Sequence, residues 1–136
     1  LITSLSRHLM EEAHHYEIIS NVLEKHGYEA PKEPLNDFQR EWEALHWEAL
    51  NKDSTCAIAV WNVSETSTTS QMELVIDNCR RIGLEDLARV YEQIKKDENF
   101  HCGLGVALLK RHMITEEQRK NALWGARRLR DIMSKF

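Results

Sequence analysis

Leu84-Glu-Asp-Leu-Ala-Arg-Val-Tyr-Glu-Gln-Ile-Lys-Lys-Asp-Glu-Asn-Phe-His101 is the stretch that decides the fold. It contains neither proline nor glycine, and Leu87, Tyr91 and Ile94 recur at helical spacing, continued by Leu108. Projected at about 3.6 residues per turn, Glu98 falls between Ile94 and Leu87, at the centre of the apolar face, and His101 flanks it. Gly83 punctuates the chain just before this run. The reading is a helix over 84–112 that carries an acid and an imidazole into a core.

The neighbouring segments read the same way. A helix over 55–81 presents Ile58, Trp61, Met72, Ile76 and Cys79, with Glu65 near the centre of that stripe. A helix over 36–52 starts from Asn36 or Asp37 as a cap and gathers Phe38, Trp42, Leu45 and Ala49 on one face. Thr115-Glu-Glu-Gln118 is a capping-box signature opening a last helix, 115–134, with Ala122, Ala126, Leu129 and Ile132. The first helix, 2–26, aligns Leu5, Leu9, Tyr16, Ile19 and Leu23, and Glu12 falls in the middle of that stripe with His15 at its edge. The only prolines, Pro31 and Pro34, mark a linker over 27–36. No strand alternation or hairpin signal competes, so the fold class is all-α, a helical bundle.

Composition narrows the function classes. The 136 residues suit one domain, 1–136, and are too few for two well-cored ones. Eighteen basic against 22 acidic residues leave a net charge of −4, which disfavours a nucleic-acid partner bound through counterion release. No apolar run reaches the roughly 20 residues of a membrane helix, and no secretory leader pattern is visible. Cys56, Cys79 and Cys102 are few, odd in number and widely spaced, which fits reduced thiols and a cytoplasmic location.

Three glutamates aimed at one core need compensation, because a buried carboxylate without a partner is very costly. Two of them head the same motif, Glu12-x-x-His15 and Glu98-x-x-His101, and an acid precedes each, as Glu11-Glu12 and Asp97-Glu98. Glu-x-x-His sets a carboxylate and an imidazole on one helix face almost one turn apart, so both can reach one metal ion. Glu65 and Glu98 are 33 residues apart with Gly83 near the midpoint, the spacing of a helical hairpin.

This pattern resembles the ferritin-like di-iron carboxylate superfamily, whose members include ferritins, rubrerythrins, ribonucleotide reductase small subunits and bacterial di-iron oxygenases. The resemblance implies a ferritin-like bundle with 36–52 as a crossover segment and 115–134 as an added C-terminal helix. It implies Glu12, His15, Glu65, Glu98 and His101 as ligands of two Fe ions, with Mn as the alternative ion. A further Glu-bearing helix is expected roughly 30 residues upstream of Glu12, and Leu1 comes too soon for it. Either the chain is cut short there, or it has lost its first helix, receives it from another subunit, or takes a different register. The function implied is O2 activation to oxidise or hydroxylate a small-molecule substrate, with an electron-donor protein as partner and assembly as a homo-oligomer. A ferroxidase or iron-handling protein and a non-enzymatic helical bundle are the alternatives.

A second register makes Glu12 the lone ligand of its helix and Glu43-Ala-Leu-His46 the paired motif. Glu43 projects away from the Trp42/Leu45 face, and the doubled acids match Glu12 with Glu98, which favours the first register. Thr68 and Thr69 share the face of Glu65, and Thr69 resembles the oxygen-pocket threonine of bacterial multicomponent monooxygenases. His8, Glu11 and His14 are expected at the surface, as is the basic run Arg127-Arg-Leu-Arg130. Gly103 and Gly105 are read as close helix packing.

Overall fold

A computed structural model describes residues 2–29 and 34–135. Among these residues there are five helices: α1 (Ile2–Lys25), α2 (Asp37–Lys52), α3 (Ser54–Arg81), α4 (Glu85–His112) and α5 (Glu116–Met133). No strand occurs among the described residues. The fold class is therefore all-α, with element boundaries within a residue or two of those expected. Residues 30–33, the middle of the expected linker, lie outside the described residues. Among the described residues no helix is long and apolar enough to cross a membrane.

Capping chemistry sets the starts of two helices. Asn36 accepts from the Gln39 backbone N–H while the Gln39 side chain accepts from the Asn36 N–H. Thr115 and Gln118 repeat that arrangement at α5. Just past the end of α3 lies Gly83, whose φ of 83° is left-handed and open to glycine at no steric cost. The Leu84 N–H donates to the Cys79 carbonyl at 2.8 Å, satisfying one of the last carbonyls of α3.

The chain divides into two compact units, one from residues 1–32 and 68–101, the other from 33–67 and 102–136. In the second unit α2 packs against α5, and Leu45, Ala49, Cys56, Val60, Leu129 and Ile132 form a buried core. Gly125 allows close approach there, since a Cβ would meet Val60 Cγ2 at 2.7 Å. Gly105 does the same beneath Asn62, whereas a Cβ on Gly103 would meet nothing within 4 Å. Close packing thus accounts for Gly105 and not for Gly103. Arg127, Arg128 and Arg130 face solvent as expected, and none of the three cysteines is in a disulfide.

In the first unit Ile76, Cys79, Leu87 and Ala88 form the core, with Val22, Leu23 and Tyr91 packed against it. Side-chain pairs Glu11/His101, His15/Asp97 and His26/Asp86 rise along α1 as they descend along α4, so these helices run antiparallel. The far end of the pair is tied by Asp86, which accepts from Lys25 Nζ and from His26 Nε2, each at 2.8 Å. Those two hydrogen bonds hold the Asp86 carboxyl well below its ordinary 3.8. A depressed carboxyl stabilises the fold above its unfolded-state pKa, and the contribution is lost as pH falls through the native value. Thermal unfolding of wild type and Asp86→Asn should therefore differ at about pH 6 and converge toward about pH 2. A constant gap across that range would contradict the tie.

α1 departs from expectation. Leu9 and Tyr16 are 72% and 69% exposed, Leu5 is 41% exposed, and the only fully buried residue of α1 is His15. The inward face runs through His8, Glu11, Glu12, His15 and Val22, turned by roughly one residue, about 100°, from the Leu5/Leu9/Tyr16 stripe. Period alone locates an apolar stripe but not which stripe is buried. Here the polar face is inside because α4 opposes it with Asp97, Glu98 and His101. His8 and Glu11 accordingly leave the surface expected for them, whereas His14 is exposed.

Candidate metal centre

The centre is built where α1 and α4 cross their polar faces. His101 is fully buried, Glu98 is 4% exposed and His15 is 5% exposed. Each imidazole is oriented by the acid that precedes the other motif's glutamate. His15 Nε2 lies 3.2 Å from Asp97 Oδ2, and His101 Nε2 lies 2.9 Å from Glu11 Oε2. The doubled acids of the sequence thus acquire separate tasks: the second of each pair faces inward, and the first orients the histidine of the opposite helix. A carboxylate on one ring nitrogen fixes the tautomer and raises the basicity of the other, the arrangement that surrounds protein-bound metals.

The inward nitrogens face the remaining two carboxylates without making a hydrogen bond to either. His15 Nδ1 lies 3.5 Å from Glu98 Oε1 and 3.8 Å from Glu12 Oε1. His101 Nδ1 lies 3.0 Å from Glu12 Oε1 and 3.4 Å from Glu98 Oε2. Glu12 Oε1, His15 Nδ1 and His101 Nδ1 are all buried without a hydrogen-bond partner. Ligand atoms of Glu12, His15 and Glu98 all fall within 4.8 Å of one another. Two donors on one ion at about 2.1 Å sit roughly 3.0–3.4 Å apart, so the spacing suits a shared cation. Oxygen and imidazole donors in this mixture fit Fe, Mn or Zn.

Charge reinforces the point. Burial by itself would lower the His101 pKa, but the carboxylates of Glu12, Glu98 and Glu11 push it up to about 10. Glu11 would be raised by burial, yet hydrogen bonds from Arg7 and His101 hold it below the ordinary value. Arg7 Nε donates to Glu11 Oε1 at 2.8 Å and its guanidinium covers the Phe100 ring at 4.1 Å, so Glu11 is itself clamped. Four carboxylates around three imidazoles make a strongly anionic pocket, which a dication neutralises.

Of the residues expected in the site, Glu12, His15, Glu98 and His101 come together in the first unit. Thr69 is half-buried on α3 in the same unit. Glu65 belongs to the second unit, where it accepts from Trp61 Nε1 at 2.6 Å. In that unit Glu43 is exposed, while His46 packs on Trp42 at 3.8 Å between ring centroids and places Nδ1 2.8 Å from the Trp42 carbonyl. His8, Glu11 and Asp97 had no site role in the sequence reading. The acid doublets and the recurrence of polar residues at 8, 11, 12 and 15 were the available signals.

No protein-family model matches the chain, and no curated protein or solved structure matches it. Function is therefore a question for the residues themselves.

Proposed function

We propose that this chain is a di-iron carboxylate oxidoreductase of ferritin-like type, which activates O2 to oxidise or hydroxylate a small substrate. The observation that carries the reading is the meeting of two Glu-x-x-His motifs with their Nδ1 atoms buried and unpartnered. A pair of Fe ions, when bound, supplies the electrons that O2 chemistry requires. The chain's own part is to hold Glu12, Glu98, His15 and His101 inward, with Asp97 and Glu11 fixing the imidazole orientations. Burial of Glu98 and His101 keeps bulk water from their inward atoms. The resemblance adds Thr69, on α3 in the same unit, as a hydroxyl near the oxygen pocket.

The test is metal content and O2 uptake of the full chain, stripped with chelator and reloaded with Fe(II) without oxygen. About two irons per chain and rapid O2 consumption on exposure to air support the reading. Consumption of O2 with ferric mineral as the sole product would assign iron handling instead. A chain that retains neither Fe, Mn nor Zn would leave a helical protein whose acids are satisfied internally.

A further inference from the structure

His8 lies one turn before Glu12 on α1, with its side chain only 15% exposed. Its Nε2 is 3.4 Å from Glu12 Oε1. Its ring meets that of His101 edge-on, with centroids 4.0 Å apart. Ligand atoms of His8, Glu12 and His101 lie within 4.8 Å of one another, as do those of Glu12, His15 and Glu98. Glu12 belongs to both triads. Its Oε1 is 3.0 Å from the unpartnered, fully buried Nδ1 of His101 and 3.8 Å from the unpartnered Nδ1 of His15.

We infer that His8 is a metal ligand, so that one position is held by His8, Glu12 and His101 and the other by Glu12, His15 and Glu98. This deepens the reading under Proposed function and rests on it. The consequence is an unsymmetrical centre. Among the donors of the first unit, the position holding His8 has two imidazoles, His8 and His101, and the other has one, His15. Imidazole suits Fe, Co and Zn, whereas oxygen donors suit Mn and other hard ions. The position holding His8 therefore prefers Co(II) or Zn(II) over Mn(II) more strongly than its neighbour does. A repeat of Glu-x-x-His alone assigns equal donor sets to the two positions; His8 breaks that equality.

The experiment is a Co(II) titration of the chelator-stripped full chain, followed by visible absorption and by equilibrium dialysis with elemental analysis. Wild type, His8→Gln, His8→Asp and His15→Gln are compared, with far-ultraviolet circular dichroism confirming equal helicity. Wild type should bind two ions in two steps. His8→Gln should lose one step, with affinity there reduced about 100-fold or more, since even residues that only orient a ligand cost 10–100-fold. His8→Asp, which restores a donor, should recover two ions with an altered spectrum. His15→Gln should lose the other step and keep the spectrum of the His8 position. Two ions bound by His8→Gln with the wild-type spectrum would overturn the role of His8 and leave the centre standing. No ions bound by wild type would overturn both.

Discussion

Glu12→Gln is expected to abolish binding at both metal positions, whereas Glu98→Gln removes only one. Glu12 is the carboxylate common to the two triads, and its Oε1 faces His8, His15 and His101 at 3.4, 3.8 and 3.0 Å. Glutamine keeps the length and volume but replaces an anionic donor with a neutral amide, so packing is preserved while charge is lost. Each position should then weaken by about 100-fold or more, enough to empty both at micromolar metal. Glu98, buried at 4% exposure, belongs to the second triad alone. Elemental analysis after gel filtration reads the outcome directly. Equal metal content in Glu12→Gln and Glu98→Gln would remove Glu12 from its shared position.

The second large effect is on stability. The first unit holds Glu11, Glu12, Asp97 and Glu98 around three imidazoles, and the inward nitrogens of His15 and His101 lack hydrogen bonds. An ion that binds only the folded chain stabilises it by about 4 kcal/mol when free metal exceeds Kd by about 1,000-fold. For a chain of this size each kcal/mol raises Tm by roughly 3–5 °C, so loading should raise Tm by roughly 12–20 °C per ion. Chelator should reverse the gain. The effect should be local: amide exchange should slow in α1 and the first half of α4, while the Leu45/Leu129/Ile132 core of the second unit stays unchanged. Identical melting curves with and without metal would refute a centre that couples to folding.

The helices were legible in the sequence because their signals are local. Proline confines the linker, Asn36 and Thr115 carry capping boxes, and Gly83 takes the left-handed turn. The inward aim of Glu98 and His101 was legible too, since α4 has a single dominant apolar stripe containing both. α1 was misread for a physical reason. Its Leu5/Leu9/Tyr16 stripe is regular, but which face is buried depends on what the opposing helix presents, and no single-helix projection contains that information. Once Asp97, Glu98 and His101 face α1, the buried face must be the one bearing His8, Glu11, Glu12 and His15. The acid doublets were visible from the start, yet their division of labour required the cross-helix partners His15/Asp97 and His101/Glu11.

Those cross-helix partners have an engineering consequence. Each short segment, His8–His15 and Asp97–His101, brings its own donors together with the acid that steers the opposite segment's ring. The two segments together carry every donor of the two triads and the acids that steer their rings, given an antiparallel neighbour at the right stagger. Grafted together onto an unrelated helical hairpin, they should carry their coordination chemistry with them; grafted singly, neither should.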